Sequence, residues 1–186
     1  MTAPEISPSK IKVAIIGAGT SGRHFALACA TAGFSVVLED VMPAKLRHAE
    51  SDFSSLGLTV GLALTIEDAV READIAVDFV PDDLESKLEI YSMLDRMAPP
   101  KTILCTPSQV LSITDLASCT YRPDRCIMFR GDPIPASPVR LLLAAATSPA
   151  TQALAHRLFT TLGHPVHPEP DPDLPQLLKN MNTSKL

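Results

Sequence analysis

Lys12-Val13-Ala14-Ile15-Ile16-Gly17-Ala18-Gly19-Thr20-Ser21-Gly22 is the stretch on which the reading of this chain turns. Val13 to Ile16 is apolar and rich in β-branched residues, as a strand covered on both faces requires. The glycines follow at the spacing Gly17-x-Gly19-x-x-Gly22. Gly17 permits a tight exit from the strand. Gly19 has no side chain, so a pyrophosphate can approach the backbone. Gly22 lets the next helix lie close to the strand. Ala18, Thr20 and Ser21 complete the turn, whose free N–H groups and helix end then face the phosphates. A glycine turn with no ligand shows the same spacing, so context decides. Arg23 to Ala32 is helical in character and free of Gly and Pro, and Phe34 to Leu38 is a second apolar run. Asp40 ends that run 18 residues past Gly22. That is close to the roughly 20 expected for the acid that accepts hydrogen bonds from an adenosine ribose. A helix cap or a solvated loop acid is the plainer alternative for Asp40.

Bulk properties narrow the classes. The chain has 186 residues, 46% of them apolar and 20% charged, which suits one domain with an appendage. A net charge of −5, no basic run, no Trp and only 4% aromatics argue against a nucleic-acid partner. No run approaches the roughly 18 apolar residues of a membrane span. Met1 to Lys10 is polar and holds two prolines, so no signal peptide is read there. Cys29, Cys105, Cys119 and Cys126 form no Cys-x-x-Cys pair. They read as reduced thiols in a cytoplasmic protein, with no metal site.

Strand-like and helix-like segments alternate along the chain. Helices are expected over Pro43–Leu56, from Thr65, over Leu84–Met97, Ser112–Ser118 and Pro149–Leu162. Strands are expected near Leu58–Leu64, Ala73–Val80, Thr102–Cys105, Cys126–Phe129 and Leu141–Ala146. The pattern specifies an α/β fold of Rossmann type, a doubly wound, mostly parallel sheet flanked by helices. Residues 1–10 read as a flexible N-terminus and 11–163 as the dinucleotide-binding domain. Residues 164–186 read as a Pro-rich tail, an extended connector followed by a short helix from Leu174 to Met181.

With these elements in place, residues Lys10 to Gly163 resemble the NAD-binding domain of the 3-hydroxyacyl-CoA dehydrogenases. Val13–Gly22, Val37–Asp40, Asp74–Lys87, Leu111–Ala117 and Arg122–Arg125 carry the likeness. The run from Asp74 is more specific than the glycines. The family usually shows Glu-Ala-Val-x-Glu there with a Lys five residues on, and Asp78, Asp82 and Lys87 hold those places. The resemblance implies that Val80, Pro81, Asp82 and Lys87 border the nicotinamide half of the cofactor. A helix N-terminal acid and a solvated lysine are the alternative for Asp82 and Lys87. Asp40 with Glu39 beside it should repel the 2′-phosphate of NADP, and no Arg follows to receive it, so NAD is the expected cofactor.

The catalytic half of the likeness is altered. In the family a His oriented by a Glu takes the substrate proton, and a Ser holds the substrate oxygen. Gln109, after Ser108, falls where that Ser belongs. Phe129 or Arg130 falls on the His, depending on the alignment, and Leu141 or Leu143 on the Glu. None of these can act as a base at neutral pH. Ser108, Gln109, Arg130 and Asp132 are the remaining candidates near the substrate. Asp132 would be the proton acceptor and Arg130 an anion ligand. Turn and surface roles are the alternatives, and His164 and His167, flanked by prolines, read as exposed. The family's helical second domain has no counterpart before the tail. Two readings stand. One is an NAD-dependent oxidoreductase of fatty-acid type metabolism, acting on a hydroxyacyl or hydroxy-acid substrate. The other is a catalytically inactive NAD-binding or structural module. In either case a homo-oligomer or a partner subunit is expected to cover the face where that domain would dock.

Overall fold

A computed structural model of the chain describes residues 7–131, 136–173, 175 and 177. They form two compact units, one within 1–79 and 97–102, the other within 80–96 and 103–186.

The first unit begins with β1 (Lys12–Ile16), α1 (Thr20–Thr31) and β2 (Ser35–Glu39). It continues with α2 (Pro43–Ser55), β3 (Gly61–Ala63), α3 (Ile66–Val70) and β4 (Ile75–Asp78). Its strands lie in the order β3-β2-β1-β4, every pair parallel. The apolar runs explain why: Val13 to Ile16 and Ile75 to Asp78 are buried throughout, as strands with both faces covered must be. The helices bury residues at helical spacing, the small Gly22, Ala26 and Cys29 on α1, and Leu46, Ala49 and Phe53 on α2. The strand expected over Leu58–Leu64 shortens to β3.

The second unit holds α4 (Leu84–Met97), β5 (Ile103–Pro107), α5 (Ile113–Ser118) and β6 (Cys126–Arg130). It then adds β7 (Val139–Leu143), α6 (Pro149–Thr161) and β8 (Val166–Pro170). β5 pairs β6 in parallel and β6 pairs β7 antiparallel. Only residues 131–138 join β6 to β7, too few for the crossover that a parallel pair needs. The fold is the expected α/β class, Rossmann-type, doubly wound and mostly parallel, with helices between the strands.

The Pro-rich segment differs from its reading as a connector. Val166–Pro170 is β8, parallel to β7, with Val139 opposite Val166 and Leu143 opposite Pro170. The Asp171 N–H donates to the Leu143 carbonyl at 2.9 Å. N–H directions alternate along a strand, so Pro168 and Pro170 sit where no donor towards β7 is needed. Prolines at such outward positions blunt an edge instead of breaking it. Asp171 then ties the segment to α5. Its Oδ2 accepts from Ser112 Oγ at 2.6 Å, the Thr114 N–H at 2.9 Å and Thr114 Oγ1 at 2.7 Å. Of the helix expected over Leu174–Met181, all but Pro175 and Leu177 lies outside the described residues, as do residues 1–6 of the N-terminal segment.

Candidate functional site

The glycine turn separates two kinds of glycine. Gly17 has φ +100°, and a Cβ there would meet the Phe79 carbonyl oxygen at 3.2 Å. A Cβ on Gly22 would lie 1.9 Å from the Gly17 carbonyl oxygen. Both are excluded by the chain itself. A Cβ on Gly19 would meet nothing within 4 Å, so packing does not demand a glycine there. What it leaves is an open concavity against backbone at the start of α1. Among the described residues no side chain caps α1, and its first turn holds no acid. By contrast Thr65, Ser112 and Ser148 each accept a backbone N–H at the starts of α3, α5 and α6. An uncapped helix start behind a bare glycine is what a diphosphate needs.

Asp40 stands beside this turn. Its Oδ2 accepts the Ala18 N–H at 2.9 Å and the Lys45 ammonium at 3.1 Å, and its Oδ1 accepts the Met42 N–H at 2.9 Å. Burial pushes the carboxyl up, but these three donors outweigh it and hold it below the ordinary carboxylate range. Glu39 is also buried. Burial first, and then the Asp40 charge, push its carboxyl up to about 7. A cavity of ≈ 360 Å³ opens here, lined by Gly19 and Thr20 of the turn, Arg23 of α1, and Lys45 and His48 of α2. The sequence reading placed Ala18, Gly19, Thr20 and Asp40 here but missed the three basic residues. Lys45 and His48 lie three apart on one helix face just after the acid, but only the fold of α2 brings them to the turn.

The residues expected near a substrate belong to the second unit. Ser108 is buried, and its Oγ accepts the N–H groups of Val110 and Leu111 at 3.2 and 2.9 Å, so it shapes a turn. Arg130 donates from Nε to the Ser108 carbonyl at 2.7 Å. Its Nη2 donates to the Leu111 carbonyl at 3.0 Å and to Asp173 at 2.6 Å. Its side chain is only 10% exposed, so it is neither an open anion ligand nor a surface cation. It clamps β6, the β5 loop and the tail together. Asp82 accepts the Gln109 N–H at 2.9 Å, joining two predicted residues. Val80 is half-buried and Pro81 exposed. Lys87 is 1% exposed, which removes the alternative of a solvated lysine. His164 is half-buried, its Nδ1 2.9 Å from the Ser137 carbonyl oxygen, and His167 is exposed. Asp132 lies outside the described residues. Among the described residues no cluster of His, Cys, Asp and Glu could hold a metal ion.

The open turn, the acid beside it and the parallel strands define a dinucleotide-binding Rossmann domain. Residues 12–61 and 49–167 match the family described as "3-hydroxyacyl-CoA dehydrogenase, NAD binding domain". The chain belongs to that family, and its cofactor is NAD. A probable 3-hydroxybutyryl-CoA dehydrogenase of Bacillus subtilis is 30% identical over 81% of this chain and 60% of its own length. A 5-formyl-3-hydroxy-2-methylpyridine 4-carboxylate 5-dehydrogenase of Mesorhizobium japonicum is 30% identical over 81% of this chain and 54% of its own. The crystal structure of the (S)-3-hydroxybutyryl-CoA dehydrogenase from Ralstonia eutropha superposes with a TM-score of 0.75. It is 26% identical and covers 86% of this chain and 63% of that one. The chain thus spans little more than half the length of the curated relatives it matches.

Proposed function

We propose that this chain is the cofactor half of an NAD-dependent oxidoreductase acting on a hydroxyacyl or hydroxy-acid substrate, as the named relatives suggest. The observation that carries it is the open Gly19 with Asp40 beside it, while the neighbouring glycines are locked by packing. Bound NAD supplies the hydride acceptor. The residues Gly17 to Gly22 hold the diphosphate, and Asp40 orients the adenosine ribose. Asp132 is the proton acceptor of this reading, taking the hydroxyl proton as the carbon gives up its hydride. A second subunit completes the substrate cleft. The setting is cytoplasmic hydroxyacyl metabolism, which suits the buried thiols Cys29, Cys105 and Cys126. Calorimetric titration with NADH, followed by turnover of 3-hydroxybutyryl-CoA with and without Asp132→Asn, tests it. Binding with turnover that the variant abolishes is the expected result.

A second reading is favoured by Arg130. One alignment puts it where the family's base belongs, yet its guanidinium is spent on two carbonyls and Asp173. On that reading the chain binds NAD without chemistry of its own. NADH binding with no turnover at large enzyme excess selects it over the first.

A further inference from the structure

An acid at the end of the second strand ordinarily rejects a phosphorylated ribose in two ways. It holds both ribose hydroxyls, and its charge repels the phosphate. Both are weakened here. Each carboxylate oxygen accepts about two hydrogen bonds. Ala18 and Lys45 fill Oδ2, and Met42 takes half of Oδ1. One acceptor position is left for the ribose, and the Lys45 ammonium offsets the charge. The second acid, Glu39, is buried with its carboxyl pushed up to about 7, so it carries only part of a charge at neutral pH.

The cavity beside Asp40 has the opposite character. Its ≈ 360 Å³ are lined by Arg23, Lys45 and His48. Lys45 uses one of three ammonium donors on Asp40, and its side chain is 45% exposed. Arg23 gives Nη1 to Asp52 at 3.2 Å, with four further N–H donors on the guanidinium. His48 is exposed on the same helix as Lys45. α2 carries no acid in its first turn. Three basic side chains from two helices therefore surround the space next to the ribose-side carboxylate.

We infer that this cavity receives the 2′-phosphate of a phosphorylated adenosine ribose, so that the chain binds NADP(H) as well as NAD(H), with Lys45, His48 and Arg23 as the phosphate ligands. The inference rests on the dinucleotide reading of the Gly17–Gly22 turn. Separate calorimetric titrations of the full chain with NAD+ and NADP+, and with 5′-ADP and 2′,5′-ADP, test it at low salt. The expected result is an NADP+ Kd within tenfold of that for NAD+, and 2′,5′-ADP binding at least as tightly as 5′-ADP. In Lys45→Ala, and in His48→Gln as an independent variant, the ratio of the two Kd values shifts towards NAD+, at least tenfold for Lys45→Ala. Both side chains are exposed, but Lys45 also bonds the buried Asp40, so a thermal melt checks the fold of each variant. An NADP+ Kd more than tenfold above that for NAD+, or a ratio that Lys45→Ala leaves unchanged, overturns the inference while the NAD reading stands. If neither dinucleotide binds, the reading of the glycine turn fails and this inference goes with it.

Discussion

The two units finish the ends of their strands in opposite ways. In the first, β1 runs into a turn whose central glycine faces open space, and the helix behind it has no cap from the described residues. In the second, β5 and β6 end in Ser108 and Arg130, where the hydroxyl holds two N–H groups and the guanidinium holds two carbonyls and an acid. Unspent donors mark a place built for a ligand; donors spent on the chain itself mark a place built for the fold. The contrast is sharper than residue type alone suggests. Serine and arginine are common substrate-binding side chains, yet here Ser108 and Arg130 hold the structure together.

The largest predicted effect follows from the closed end. Arg130→Ala leaves the Ser108 and Leu111 carbonyls without their donor and Asp173 without its cation. The loss should be about 2–4 kcal/mol of stability. NADH affinity should stay within about twofold. Denaturant unfolding and NADH titration of the same variant measure both. A stable variant that lost NADH binding would reverse the roles assigned to the two ends.

Gly19→Ala probes the open end in the opposite sense. Gly19 sits at φ −65° and ψ 179°, a conformation alanine adopts without strain, and its Cβ meets no atom of the chain. Stability should therefore change by less than about 1 kcal/mol. On the proposed function the methyl group would occupy the space of the diphosphate, so NADH affinity should fall at least about tenfold, roughly 1.4 kcal/mol. Gly22→Ala is the control, because a Cβ 1.9 Å from a carbonyl oxygen should damage fold and binding together.

How much of this was legible beforehand depends on the range of the interaction. The strand, the glycine turn and Asp40 lie within one short segment, and their chemistry is local, so they could be read directly. The cationic lining required α2 to fold back beside the turn, which no local pattern states. Arg130 draws its partners from Ser108, Leu111 and Asp173, far apart in sequence, so its role as a clamp was invisible and the likeness to a catalytic position misled. β8 was hidden for another reason. Proline depresses any strand reading, and only the pairing with β7 shows that Pro168 and Pro170 fall on outward positions.

Glu39 supplies a pH-dependent test of the open end. Its carboxyl is raised by burial and by Asp40 to about 7 in the folded chain, against an ordinary value near 4.5. The folded state therefore keeps a proton that the unfolded state has released. That contribution to stability is complete below about pH 4.5 and is lost as pH rises through about 7. Urea unfolding should show the chain losing about 1–3 kcal/mol between pH 5 and 7.5 from this group, and Glu39→Gln should flatten the slope. An unchanged slope in the variant would place the proton elsewhere.

The smallest effect concerns the capped helices. Ser148 accepts the Thr151 N–H at 3.2 Å at the start of α6, and Ser148→Ala removes that side-chain cap. The expected cost is about 1 kcal/mol, visible as a small shift of the urea midpoint with no change in NADH titration. α1 has no such cap to lose. On the proposed function the dinucleotide plays that part, so saturating NADH should stabilise the wild-type chain by a margin that grows with ligand concentration. Gly19→Ala should lose most of that margin, and Ser148→Ala should keep all of it. If NADH stabilised both variants equally, the start of α1 would not be where the diphosphate binds.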